Sequence, residues 1–342
     1  MRYKLLGKSG LRVSELALGT MTFGEDWGWG ADKATSQGIF DAYVHAGGNF
    51  IDTSCNYTNG TAEKFVGEFT QADRDYFVIA SKYTLHSHFK RADDLNAGGN
   101  HRKNMIRTVE GSLKRLQTDY LDLLFLHIWD GTTPVDEILR AMDDLVRAGK
   151  VHYVGISDSP AWVTGYAAAT AELRGWPRFI AYQGEYNLLT RGAEREIIPL
   201  TRALDMAFMA FGLLAGGQLT GKFNAGKPEE HTRVGKPEQR ALEMAELVSE
   251  IAKEIGCSPA QVAVNWVRQQ APNVIPIIGS RRLPQIEDNL RALDFPLSAA
   301  HLQRLNAANP LQPEYPDDFY KARGTLRLAF GQAMEKLENH LR

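Results

Sequence analysis

Residues 120–157 read YLDLLFLHIWDGTTPVDEILRAMDDLVRAGKVHYVGIS. The opening run, 120–127, is short, apolar and followed by Gly131 and Pro134, the pattern of a buried strand ended by turn residues. Apolar residues then recur with helical period over 134–148, with Pro134 where a first-turn proline is tolerated and Ala148-Gly149-Lys150 as a glycine stop. A second strand follows at 151–157. A strand, a crossover helix and another strand force parallel pairing. The same alternation runs outward in both directions. Strands are expected at 16–20, 49–54, 77–82, 120–127, 151–157, 179–185, 206–212 and 274–280, and helices near 33–46, 61–69, 104–116, 134–148, 160–174, 194–203, 239–256 and 284–292. Eight such units predict an α/β fold, a closed (β/α)8 TIM barrel. The competing open dinucleotide-binding sheet should show G-x-G-x-x-G after its first strand, and the sequence has no such match.

At 342 residues the chain could divide into about two domains at ~150 residues each, but barrels run long as one unit, so a single domain over 1–342 is expected. A hydrophobic fraction of 44% and a charged fraction of 23% fit a globular protein with a sizeable core. The net charge of −2 leaves no electrostatic footprint for nucleic acid or an anionic membrane. Cys55 and Cys257 form no disulfide framework and fit no metal spacing, which favours a reducing compartment. With no apolar leader and no spanning segment in the sequence, a cytoplasmic protein is expected and the sequons at Asn56 and Asn59 read as coincidental. The start, RYKLLGKSGLRVS, reads as a hairpin turning at Lys8-Ser9-Gly10 and plugging the barrel bottom. Two connections, 83–104 and 214–238, are long enough to carry function on the active face, the second with Lys222, Lys227, Arg233 and Lys236. The tail after about residue 310 reads as a further helix closing over that face or as a mobile end.

Four polar residues close three of the predicted strand units: Asp52 and Tyr57 after the second, Lys82 ending the third and His127 ending the fourth. Singly, each has an ordinary explanation as a cap, a loop aromatic, a solvated end or a core histidine. Together they converge on one rim. The strings that carry them, FIDTSCNYTNGTAE, VIASKYT and LLFLHIWD, resemble the Asp-Thr-x-x-x-Tyr, Lys and His signature of the aldo-keto reductase superfamily. LALGTMTFG, VGISDSP, YQGEYNLL, AFGLLAGGQLTGKF and IPIIGSRRLPQIEDNL extend the resemblance over nearly the whole chain. The pattern looks most like bacterial members related to the potassium-channel β-subunits.

The resemblance implies reversible hydride transfer between NADP(H) and a carbonyl or alcohol. A carbonyl accepting hydride develops oxyanion character and needs an aimed proton donor. In the tetrad so implied, Tyr57 is the acid, Lys82 the cation expected to lower its pKa, Asp52 the partner that fixes Lys82, and His127 the group that orients the carbonyl.

Cofactor residues follow from the same resemblance. Gly19, Thr20, Met21 and Asp52 lie near the nicotinamide end. Ser157 and Gln183 would bond the carboxamide and Phe211 would stack on its ring; Asp158 stands where the family usually has Asn, and a carboxylate cannot donate as an amide does. Gly212, Leu213 and Leu214 replace the usual Ser-Pro-Leu, and Gly216, Gly217 and Lys222 would cradle the pyrophosphate. Gly279, Ser280, Arg281, Gln285, Asp288 and Asn289 match the adenosine-phosphate grip, with Arg281 favouring NADPH over NADH. Phe23, Trp27, Tyr83 and Trp129 are candidate walls of a pocket for a small carbonyl substrate. His86, His88 and His101 raise the thought of zinc, but no acidic or thiolate partner stands at ligand spacing, so no metal is expected. A cofactor-binding regulatory subunit with slow turnover and a barrel enzyme of different chemistry remain as alternatives, and homo-oligomers are allowed.

Overall fold

A computed structural model describes residues 1–86, 93–224, 235 and 237–338. The chain divides into two compact units, Met1–Asn309 and Pro310–Arg342. In the first, eight parallel strands close into a barrel: β3 (Ala17–Gly19), β4 (Phe50–Asp52), β5 (Val78–Tyr83), β6 (Leu121–Leu126), β7 (Val151–Ser157), β8 (Phe179–Glu185), β9 (Ala207–Phe211) and β10 (Val274–Ile278), with β10 pairing back onto β3. The eight expected strands are all present. Those of the barrel's middle, β5 and β6, are buried at every residue, as parallel strands covered on both faces require.

Helices follow the strands in turn: α1 (Lys33–His45), α2 (Thr61–Thr70), α3 (Arg102–Leu116), α4 (Val135–Arg147), α5 (Ala161–Arg174), α6 (Ile197–Ala203), α7 (Gln239–Ile255), α8 (Pro259–Arg268) and α9 (Leu283–Leu290), with α10 (Ala299–Ala308) after the last. The sequence pattern does not announce α8, because seven consecutive residues, Gln261 to Val267, are buried and no polar face marks a period. Ser258 caps it by accepting from the Gln261 amide, and Pro259 opens its first turn. In the second unit the tail forms two short helices, α11 (Asp317–Tyr320) and α12 (Arg323–Phe330), where one was expected.

Side chains alternate across a strand with period two, which divides the core. Phe50, Val78, Ala80, Leu123, Phe125, Ala181, Met209 and Ile275 fill the barrel, while Ile51, Ile79, Leu124 and Phe208 face outward onto the helices. The N-terminal hairpin, β1 (Tyr3–Leu5) with β2 (Arg12–Ser14), pairs Tyr3 with Ser14 and drives Leu6 and Val13 into the inner cluster. It stoppers the end where the strands begin. Gly7 lets the hairpin approach: at φ +54° a Cβ there would stand 2.1 Å from the Ile180 carbonyl oxygen, so no other residue fits.

Candidate active site

The inward face that begins with Phe50, Ala80 and Phe125 ends, two residues on in each strand, with Asp52, Lys82 and His127. Periodicity alone therefore brings these three to the open end of the barrel interior. Lys82 is fully buried, and its Nζ donates to Asp52 Oδ2 at 2.8 Å, to the Thr53 carbonyl at 2.8 Å and to Tyr57 Oη at 3.0 Å. The other Asp52 oxygen accepts from Gln183 Nε2 at 2.8 Å. His127 stands edge-on to the Tyr57 ring, 6.1 Å between centroids, with Nδ1 3.3 Å from Ser54 Oγ. The four residues expected to meet do meet.

Their electrostatics differ from expectation at one point. Burial raises the Tyr57 pKa above that of an ordinary phenol, and the attraction of Lys82, although it acts downward, does not overcome it. One reason is that Lys82 already shares its charge with Asp52. Burial pulls the Lys82 pKa down, but Asp52 and Tyr57 outweigh it and the ammonium is kept. His127 is pushed down to about 3, by burial first and by the Lys82 charge second, so it is neutral across the ordinary pH range.

Tyr57 is held by a strained turn. Thr58, Asn59 and Gly60 all have positive φ (44°, 56° and 90°), and a β-branched residue there is a genuine outlier. Hydrogen bonds offset the strain: the Thr58 hydroxyl donates to the Phe23 carbonyl and accepts from the Ala62 amide at the start of α2. A second device holds His127. Its backbone amide donates to the Tyr83 carbonyl and to Thr84 Oγ1, while Asn100 bonds Thr84, the Ile128 carbonyl and both backbone and side chain of Asp130. Backbone amides hold the Asp130 carboxylate down to about 2 against its desolvation. Thr84, Asn100 and Asp130 were not singled out by sequence, where residues joined over 16 to 43 positions give no local signal.

Around this centre, Ser157 and Gln183 are register neighbours on β7 and β8, and Phe211 closes β9 beside Glu185. Among the described residues, the buried Ser157 hydroxyl has no hydrogen-bond partner, and neither has that of Ser280. Two orphaned buried hydroxyls, one at each end of the expected cofactor path, fit an outside polar ligand. Thr20 is buried, its amide and hydroxyl both on the Asp52 carbonyl, beside half-buried Gly19 and exposed Met21. Asp158 follows β7 in a positive-φ conformation with an exposed surface, and partial desolvation, with Glu185 adding to it against Lys82, raises its carboxyl to about 6.

In the loop after β9, Leu213 is buried, Leu214 is half-buried and Gly212 is exposed. Ala215, Gly216 and Gly217 all have positive φ, and a Cβ on Gly217 would fall 3.0 Å from Lys222 Nζ, so the ammonium lies close against the glycine backbone. Lys227, Arg233 and Lys236 of this loop lie outside the described residues. After β10, exposed Gly279 leads to Arg281, whose amide donates to Gln285 Oε1, and Asn289 is buried. Asp288 also ties the fold together. Its two oxygens accept from Ser258 Oγ and Gln261 Nε2, tying α9 to the start of α8.

The candidate pocket walls separate into two kinds. Phe23 and Tyr83 are wholly buried, Phe23 against Phe69 and Tyr83 with its hydroxyl on the Asn100 carbonyl, so both belong to the core. Trp27 and Trp129 are half-buried, Trp27 donating to Asn59 Oδ1 and lying 5.6 Å from Trp29, Trp129 meeting Trp162 edge-on. Trp27 is thus tied to the turn that carries Tyr57. Among the described residues no three His, Cys, Asp or Glu side chains gather as a metal site; His101 instead caps α3, and His88 lies outside the described residues. Among them also, no helix is long and apolar enough to cross a membrane.

Residues 15–310 match the Aldo/keto reductase family. The chain belongs to the aldo/keto reductase family. Within it, the chain is 34% identical over 322 residues to norsolorinic acid reductase of Aspergillus flavus, covering 92% of this chain and 82% of the relative. It is 37% identical over 338 residues to norsolorinic acid reductase B of Dothistroma septosporum, covering 95% and 86%. An aryl-alcohol dehydrogenase [NADP(+)] of Phanerodontia chrysosporium is 35% identical over 333 residues, covering 90% and 85%. Aldo/keto reductases are oxidoreductases that act on small carbonyl compounds with nicotinamide cofactors.

Proposed function

We propose that this aldo/keto reductase reduces an aromatic aldehyde or ketone to the alcohol with NADPH, reversibly, with Tyr57 as the proton donor. The observation that carries the reading is a buried ammonium, Lys82, in hydrogen-bond contact with both a carboxylate and a phenol at the open end of the barrel. NADPH, when bound, supplies the hydride. Ser157 and Gln183 would hold its carboxamide, Gly217 and Lys222 its pyrophosphate, and Ser280 with Arg281 its 2′-phosphate, whose geometry suits a guanidinium. The orphaned hydroxyls of Ser157 and Ser280 support this assignment, and the name of the Phanerodontia relative supports NADP over NAD. The same relative's name, an aryl-alcohol dehydrogenase, also favours aromatic carbonyls.

Because Tyr57 is protonated at neutral pH, it can give a proton to the oxygen on which negative charge develops. Lys82 then steadies the phenolate left behind through the bond it already makes to Oη. Asp52 keeps Lys82 charged and in place. His127, being neutral, serves as a hydrogen-bonding group and not as an acid. Both cysteines are free thiols, which supports the cytoplasmic setting. Tyr57→Phe tests the reading. Turnover of an aromatic aldehyde should fall by at least ~10², while NADPH binding, followed by fluorescence, stays within a few-fold. Undiminished turnover would sink the assignment.

A further inference from the structure

The tautomer of His127 decides what it can do, since a neutral imidazole carries one N–H and one lone pair. With N–H on Nε2, the ring donates to a carbonyl oxygen. With N–H on Nδ1, the bare Nε2 accepts from a hydroxyl. Nε2 makes no hydrogen bond to a described residue, so the choice falls to the contact at Nδ1, which is Ser54 Oγ at 3.3 Å.

Ser54 is fully buried, so no solvent competes for its hydroxyl. That hydroxyl has one proton and three neighbours: the Asn56 amide oxygen, His127 Nδ1 and the Cys55 thiol, the last a weak hydrogen-bonding group. It gives the proton to Asn56 Oδ1 at 2.7 Å, and so can only accept from His127, which places the imidazole hydrogen on Nδ1. The Asn56 amide is half-buried and its Nδ2 makes no hydrogen bond to a described residue. Turning the amide by 180° therefore breaks no bond except the one it reverses. In that orientation Nδ2 donates to Ser54, Ser54 donates to Nδ1, and the imidazole hydrogen moves to Nε2.

We propose that Ser54 and Asn56 are positioning residues that set the tautomer of His127, and with it whether Nε2 faces the cleft as an acceptor, suited to an alcohol hydroxyl, or as a donor, suited to a carbonyl oxygen. The resting orientation is the acceptor form. The catalytic consequence rests on the function proposed above, whereas the tautomer itself does not.

The full chain labelled with ¹⁵N-histidine reports the tautomer directly, because protonated and bare ring nitrogens resonate far apart. His127→Gln identifies the signal among the nine histidines. The ligand-free protein should show the hydrogen on Nδ1. Ser54→Ala should return His127 to the Nε2–H form that free imidazole prefers in water, and Asn56→Asp, whose carboxylate can only accept, should hold the Nδ1–H form. A hydrogen on Nε2 in the unaltered protein, or a tautomer indifferent to Ser54→Ala, overturns the proposal. A kinetic comparison follows from the same logic. Asn56→Asp should lower kcat for carbonyl reduction by about 10²-fold, the loss of one oxyanion donor. The double variant Ser54→Ala/Asn56→Asp, which disconnects the carboxylate from His127, should regain at least about tenfold of that loss. Equal kcat in the two variants would overturn the relay. If instead Tyr57→Phe keeps its turnover, the proposed function fails while the tautomer result stands.

Discussion

Replacing Lys82 with Met removes a buried cation and leaves its partner charged. The Lys82 and Asp52 side chains are 0% and 4% exposed, and once Nζ is gone the Asp52 carboxylate keeps only the Gln183 amide. Breaking a buried ion pair from one side costs about 3–5 kcal/mol, because the remaining charge is neither solvated nor paired. Against a total stability of about 5–15 kcal/mol that is a large share. The unfolding midpoint in guanidinium chloride should therefore drop sharply in Lys82→Met. A neutral amide carries no such penalty, so Asp52→Asn/Lys82→Met should recover most of the lost stability. Neither variant should turn over, since Tyr57 has lost the ammonium at 3.0 Å in both. Stability that recovers without activity would separate the two functions of the pair. A single variant no less stable than the double would refute the claim that Asp52 is a buried charge dependent on Lys82.

Arg281→Ala should weaken NADPH binding by about 10- to 150-fold, the range of a hydrogen bond to a charged group, and NADH binding by little; equal losses by titration would remove Arg281 from the 2′-phosphate. The His127 pKa, about 3 in the fold against an ordinary 6.5, means that the unfolded chain binds a proton the folded one does not. Stability from this source is present above pH 6.5 and lost as pH falls toward 3, by at most about 5 kcal/mol at ~1.4 per unit. His127→Gln should flatten that part of the stability profile, and parallel curves would contradict it. For Asp158 the sign is opposite. Its carboxyl is raised to about 6, so its ionised form costs stability as pH climbs from about 4 through 6. Asp158→Asn should raise the melting temperature at pH 7 but not at pH 4, and an equal effect at both would place the carboxylate in water.

The barrel was legible because its strands are short apolar runs separated by helical periods. The apolar run marks 120–127 as a strand, and the strand's period of two sends His127 inward beside Lys82. What sequence could not show was the balance at Tyr57. A neighbouring lysine is visible in the pattern, but the depth of burial that outweighs it is a property of the folded core. The structural ties of Asp288 were hidden for a related reason: its position matched a ligand-binding pattern, and the Ser258 and Gln261 that donate to its oxygens lie 30 and 27 residues earlier. The Ser54–Asn56 contact is local, yet its meaning depends on His127, 73 residues from Ser54. Chain separation of that size leaves no trace in spacing.

The stopper formed by Leu6 and Val13 gives the barrel a single doorway. Whatever reaches Tyr57 enters and leaves through the mouth ringed by the loops after the strands. A ligand long enough to run from Ser157 to Ser280 would lie across that mouth, and a small carbonyl compound would sit on top of it. On the proposed function, traffic would then be last in, first out: the small molecule would arrive second and depart first.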